Sequence, residues 1–428
     1  MQKISHCPLH KTIGIFIPIF LLLYFWLPPI AIGNYLSFKF QITDLLLPFI
    51  LYYLLIRPNV WQESKRAVFI GSSIAIYIAF TILINPGAHT LNNFFECYDV
   101  LKLTCYFLFI KCYFRVEKIN LWVDIACLFL LVFNVFHFFN IFDFNHTIMP
   151  IYSDSENTYL LFFGVDPWGA PWAKRMIGTM SNPNLNAILF LFFFIWYAPC
   201  PQWGWKKALF FLLVTSAILL CQSRSGIIIC IILFIINYFF AKIPYRELLI
   251  QLGSIAAFIG IGFLGYHLMN INKEPSNKYN SPIGYVLTLT HTDLRDDPSL
   301  NQRFATWHNM IQEIKERPLF GHSPNKQVLS IQKIYPDNEY ISISYKYGLI
   351  GLLLYLLFFT LPIIHTLKEA RQSQEAKMLL LCSLLFAMAA ITSEPIQNHR
   401  TALLYIIMLA LFYGKRTSYH LEMKHNNN

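Results

Sequence analysis

Apolar residues in this chain come in long runs, and polar residues collect in the intervals between them. Runs close to the ~20 residues that a helix needs to cross a bilayer recur from one end to the other. Twelve can be placed, near residues 12–31, 41–56, 67–84, 94–112, 121–142, 184–199, 207–222, 226–241, 247–268, 341–366, 376–392 and 401–414. In hydrocarbon the backbone has no water to bond, so each run must satisfy its own N–H and C=O groups by coiling into a helix. The pattern predicts an all-α polytopic membrane protein of about 12 transmembrane helices, one integral membrane domain over residues 1–428. The first run is too long for a cleaved leader. Leu27-Pro28-Pro29 stands where small residues would mark a cleavage site, so this run is expected to remain. Two intervals break the rule of short connections, an outer loop at 143–183 and a larger one at 269–340. Within the larger, Phe304, Trp307, Ile311 and Ile314 recur at helical spacing between Asn301 and Glu316, which predicts an amphipathic helix lying along the membrane surface.

Composition agrees: 56% hydrophobic residues, 13% charged residues and a mean hydropathy of +0.47 exclude a soluble globular chain. The charge adds an orientation. With the N-terminus inside, cytoplasmic segments hold Lys3, Lys11, Arg57, Lys65, Arg66, Lys111, Arg115, Lys118, Lys206, Lys207, Lys242, Arg246, Lys368, Arg371, Lys377, Lys415, Arg416 and Lys424. The short and medium outer segments hold only Lys39, Lys174, Arg175, Arg224 and Arg400. Positive charge gathers on the cytoplasmic side of short loops, so both termini are expected inside and the large loop outside. The net charge of +10 is then mostly topology. No zinc-finger spacing or basic-aromatic segment points to nucleic acid. Neither long loop contains a cysteine, so a disulfide framework is not expected. No internal repeat suggests an inverted-repeat transporter.

Chemistry is expected where polar groups gather on the outer side, because ionisable residues at membrane depth are costly and mark function. Four arginines stand there. Arg175 opens Arg175-Met176-Ile177-Gly178-Thr179-Met180-Ser181-Asn182-Pro183-Asn184, Arg224 lies in Ser223-Arg224-Ser225-Gly226, Arg303 begins the loop helix, and Arg400 precedes the last run. A guanidinium is a permanently charged fork that suits phosphate or pyrophosphate. Each also has a plainer reading: Arg175 and Arg400 as snorkelling to headgroups, Arg224 as stiffening a turn, Arg303 as pairing on a surface helix. Tyr335-Pro336-Asp337-Asn338-Glu339-Tyr340 ends the large loop. There Asp337 or Asn338 can cap the following helix, or Asp337 can take or orient a hydroxyl proton. Trp168 and Trp172 suit either sugar stacking or the interfacial belt. Asp154 and Glu156 have the spacing of an acidic pair without nearby His, and no metal site is expected. Asp44, and Asp99 with Lys102, lie near outer ends of runs, the latter two as a local ion pair.

The motifs together resemble the O-antigen polymerase and ligase family of bacterial surface-polysaccharide assembly. The resemblance covers most of the chain. It is carried by the Arg175 segment with Asn182-Pro183-Asn184, the Ser223-Arg224-Ser225-Gly226 turn, Arg303-Phe304-Ala305-Thr306-Trp307 followed by Pro318-Leu319-Phe320-Gly321, and Asp337-Asn338-Glu339-Tyr340. It implies a GT-C-like fold with one large folded periplasmic loop in the bacterial inner membrane. The implied reaction is inverting, metal-independent glycosyl transfer without a cofactor, from an undecaprenyl-pyrophosphate-linked glycan donor to a glycan acceptor. By this analogy Arg175 and Arg303 grip the pyrophosphate, Asp337 serves the acceptor hydroxyl, and Arg224, Asn338, Arg400 and Trp172 bind substrate. A chain-length regulator and a flippase are the implied partners. Family members that ligate glycan to lipid A core resemble one another in a histidine before the asparagine; here that position is Asp337, which favours the polymerase branch. A lipid-linked oligosaccharide flippase would instead need charges along a central cavity, whereas these runs are nearly uncharged and the arginines lie outside them.

Overall fold

A computed structural model of the protein describes residues 8–27, 30–31, 39–40, 42–56, 60–61, 64–152, 175–199, 204–241, 249, 253, 298–325, 329 and 336–426. Its main helices are α1 (Pro8–Trp26), α2 (Leu47–Ile56), α3 (Lys65–Ile84), α4 (Leu91–Tyr113), α5 (Val116–Phe139), α6 (Pro183–Tyr197), α7 (Trp205–Leu220), α8 (Arg224–Ala241), α9 (Pro298–Glu316), α10 (Glu339–Leu367), α11 (Gln374–Ala389) and α12 (His399–Asn426). Helices therefore occupy eleven of the twelve apolar runs, and α9 is the helix expected in the large loop. The run at 247–268 lies almost wholly outside the described residues. A two-residue antiparallel ladder pairs Ile30–Ala31 with Lys39–Phe40 and departs from the otherwise helical fold. Helix α1 stops at Trp26, short of Pro28-Pro29, where the missing N–H groups and ring sterics oppose a further turn.

Among the described residues three helices, α3, α5 and α10, are long and apolar enough to cross a membrane. Burial sorts the helices into two kinds. In α6 and α11, and in α12 from Thr401 to Phe412, nearly every side chain is buried, as expected of helices that are apolar all round and surrounded by others. Helices α3, α4, α7 and α8 pack outside them together with α10, and present large apolar side chains outward, including Phe69 and Leu83 of α3 and Leu353 and Ile364 of α10. In water each such side chain forgoes about 1.5–3 kcal/mol of burial. Acyl chains remove that penalty, and the outward apolar faces mark an integral membrane protein.

Helix α10 is broken inside its length. Gly348 has φ 64° and ψ −167°, a conformation essentially confined to glycine. The carbonyls released by the break are taken up by the segment that follows α9: His322 N donates to Tyr345 O and Ser323 N to Lys346 O, both at 2.8 Å, and Leu349 N donates to Pro318 O at 2.8 Å. Tyr77 of α3 donates its hydroxyl to Tyr347 O at 2.7 Å. Residues 318–323, which carry the Pro318-Leu319-Phe320-Gly321 motif, thus replace helical hydrogen bonds at a point where backbone approaches backbone. A Cβ on Gly348 would lie 2.3 Å from the Leu319 carbonyl, and one on Gly321 would lie 2.6 Å from Gly348 N. Gly348→Ala is expected to destabilise the protein by about 1–3 kcal/mol from the backbone conformation alone. A thermal melt in detergent equal to wild type would show that the break is not needed.

Candidate functional site

The large loop and α10 bring two of the sequence candidates together. Helix α9 packs on α10: Trp307 Nε1 donates to the carbonyl of Pro336, just before α10, and one turn earlier Arg303 reaches the next residue. Arg303 Nη2 lies 3.1 Å from Asp337 Oδ2, with the two side chains 25% and 50% exposed. The packed face differs from the expected stripe, because Phe304 and Ile311 point outward while Met310 is buried. The contacts made to the junction are those of Trp307 with Pro336 and of Arg303 with Asp337.

The capping question at this junction is settled by geometry. Asn338 is the N-cap of α10, its side-chain oxygen accepting from Ile341 N at 3.2 Å. Asp337 has φ 46°, a left-handed conformation that Asp and Asn tolerate better than most residues and that clusters at functional sites. It caps nothing, and its carboxylate is directed to Arg303 instead.

Behind this pair the turn joining α11 to α12, residues 390–398, is fixed by a carboxylate that the sequence reading missed. Glu339 is fully buried and accepts from Ile396 N at 3.0 Å, Gln397 N at 2.6 Å and the Tyr355 hydroxyl. An acidic residue in the first turn of a helix ordinarily reads as a partner of the helix dipole, so no sequence signal distinguished it. Gln397 then bonds the buried ammonium of Lys346 and donates to Ser342 Oγ at 2.9 Å. Glu394 stands in the same turn. It is half-buried, and closely surrounding protein pushes its carboxyl above the ordinary range, an effect that Lys346 opposes.

A second group forms around Arg175. Its Nε donates to Cys221 O at 3.4 Å and its Nη2 to Asn184 Oδ1 at 3.3 Å. Ser223 Oγ donates to the same Asn184 oxygen at 2.9 Å and accepts from Gly226 N at 3.2 Å. Asn182 caps α6 by accepting from Asn184 N and Leu185 N. The Arg175 segment, Asn182-Pro183-Asn184 and Ser223-Arg224-Ser225-Gly226 are therefore one construction. Gly226 permits it, since a Cβ there would lie 2.9 Å from Ala187 Cβ. Arg224 begins α8 at its edge.

Arg400 ties this group to the rest. It is buried, and its guanidinium donates to the carbonyls of Thr179 and, at 3.1 Å, Leu27. Asn398 caps α12 by accepting from Arg400 N. The stretch 394–400 thus touches α10 at one end and the Arg175 segment at the other. Trp172, Trp168, Asp154 and Glu156 lie outside the described residues.

Beside it lies a network of buried charge. Lys102 Nζ is 3.2 Å from Asp44 Oδ1 and 3.2 Å from Asp99 Oδ1, and the Tyr106 hydroxyl donates to Asp44 at 3.1 Å. Asp99 Oδ2 lies 3.1 Å from His399 Nε2. The local pair read from the sequence is one link of a chain joining the turn before α2, α4 and the start of α12.

An all-helical membrane protein with paired arginine and carboxylate groups at a loop-to-helix junction is the class defined by these observations. Residues 208–356, which include Arg224, Arg303 and Asp337, match the family model described as O-antigen ligase. The match bears out the resemblance to the O-antigen ligase and polymerase family and supports a role in surface-polysaccharide biosynthesis. An uncharacterized protein of Haemophilus influenzae is 27% identical over 214 residues, 45% of this chain and 50% of that protein. The chain spans about half the length of the curated relative it matches.

Proposed function

We propose that this protein is a glycosyltransferase of the bacterial inner membrane that polymerises undecaprenyl-pyrophosphate-linked repeat units at the periplasmic face, making O-antigen or a related surface polysaccharide. The observation that carries the reading is the Arg303–Asp337 pair, formed across 34 residues between the loop helix and α10. It joins a phosphate-binding cation to a carboxylate that has no capping duty. In the reaction an acceptor hydroxyl oxygen attacks the anomeric carbon from the face opposite the pyrophosphate. The bond from that carbon to the pyrophosphate oxygen breaks, and its electron pair leaves with the lipid pyrophosphate. Asp337 receives the hydroxyl proton, and Arg303 opposes the charge that grows on the leaving group. Arg175, with Arg224 near it, is a second grip for the donor. Arg400 is a positioning residue for that grip, acting through the Thr179 carbonyl. Asp337, in place of the histidine of the ligases, favours joining repeat units to one another over transfer to lipid A core.

The test uses cells lacking the gene and rescued with wild type, Arg303→Ala or Asp337→Asn. Asn tolerates a left-handed backbone, so Asp337→Asn removes the base with little cost to the fold. A single repeat unit on core in place of a lipopolysaccharide ladder is expected from the deletion and both variants. Bare core with accumulated long lipid-linked polymer would reassign the protein as a ligase. An unchanged glycan profile would overturn both readings.

A further inference from the structure

Two spans agree on where the hydrocarbon ends. Helix α3 runs from Lys65-Arg66 to Ile84, and the part of α10 beyond its break runs from Gly348 to Leu367, just before Lys368. Each stretch is about 30 Å long at 1.5 Å per residue, the thickness of a bilayer core, and each has basic residues at the end away from the large loop. Their other ends are at one level, because Asn85, directly after α3, donates to Gly321 O at 3.4 Å, and Gly321 abuts Gly348. The outward apolar row of α10 begins directly after the break, with Leu349, Leu353 and Leu357 exposed, while the segment before the break folds back beside it, where Glu339 meets the Tyr355 hydroxyl.

The turn after α9 lies at that level. Leu319 and Phe320 are exposed at 55% and 37%, and the Phe320 ring sits 5.5 Å from that of Phe80, itself exposed on the lipid-facing side of α3. Phe80 lies one helical turn before the end of α3, about 6 Å inside the boundary. We propose that the Leu319-Phe320 turn is inserted in the outer leaflet of the bilayer, its side chains among phospholipid acyl chains, as an anchor for the large loop. Continuity with the lipid-facing rows of α3 and α10 identifies the occupant, since an aqueous partner would have to displace lipid from both. The inference rests on the membrane placement of α3 and of α10 beyond its break.

Leu319→Cys in proteoliposomes or intact cells is the test, with wild type as the background for native thiols and His308→Cys on the exposed face of α9 as the water-exposed control. Leu319 is exposed, so the substitution leaves packing intact. A membrane-impermeant maleimide is expected to label His308→Cys and to lose its labelling at Leu319→Cys. A fluorophore placed at position 319 with a permeant reagent is expected to be quenched by nitroxides on the upper acyl chain. Labelling of Leu319→Cys by the impermeant reagent as fast as the control, or quenching by aqueous iodide in preference to lipid nitroxide, would overturn the insertion. Neither result depends on whether the protein is a polymerase, which the glycan profile decides separately.

Discussion

Replacing Arg303 with alanine is expected to lower glycan transfer by about 10²- to 10³-fold while the protein accumulates in the membrane normally, the loss typical of removing one donor aimed at developing charge. The side chain stands at the edge of α9, where a surface ion pair contributes little to stability, about 0–1 kcal/mol. A defect in folding is therefore a poor explanation for a large loss of activity. The geometry also separates two roles for the pair. If the pair is only a structural bridge and neither side chain meets substrate, the exchange Arg303→Asp with Asp337→Arg would rebuild it and restore transfer. If Asp337 takes the proton and Arg303 meets the pyrophosphate, the exchange misplaces both groups and activity stays at least as low as in Arg303→Ala. Transfer rates measured with a lipid-linked donor in proteoliposomes, normalised to protein, read both variants. Recovery in the double exchange would reduce the pair to a structural contact and remove the main support for the proposed chemistry.

The helices were legible in the sequence because a bilayer punishes any other backbone arrangement, so length and composition alone placed most of them. What composition could not register was the break at Gly348, since Tyr347-Gly348-Leu349 reads as an uninterrupted apolar run. The signal was divided between two places, with Pro318, His322 and Ser323 supplying the missing hydrogen bonds from upstream in the chain. Periodicity found α9 but chose its face by hydrophobicity, whereas Arg303, Trp307 and the buried Met310 stand apart from the exposed Phe304 and Ile311. Similarly, Asp337 and Asn338 were equivalent as caps on paper, and only backbone dihedrals assign the cap to Asn338. Arg400 read as a cation near the interface. Its burial follows from two carbonyls, at Leu27 and Thr179, that lie hundreds of residues away along the chain. Glu339 and Gln397 were missed for the same reason: their partners are backbone atoms of a distant turn, which leave no mark on composition.

Lys102→Met is expected to be the most destabilising single substitution outside the glycine contacts, by about 3–5 kcal/mol, because it strands charge in the interior. Lys102 stands between Asp44 and Asp99 at 2% exposure, with Asp44 at 1%. Methionine keeps most of the side-chain volume, so the loss reports the missing ammonium and not a cavity. The Tyr106 hydroxyl still donates to Asp44, and His399 still meets Asp99, yet neither replaces a permanent cation placed between the two. Removing the stranded charge along with its partner should return part of the stability, so Asp44→Asn with Lys102→Met is expected to melt above Lys102→Met alone. Thermal unfolding in detergent, followed by tryptophan fluorescence, measures the three proteins side by side. Equal midpoints for Lys102→Met and wild type would mean that water reaches these carboxylates and that the network is not a dry tie.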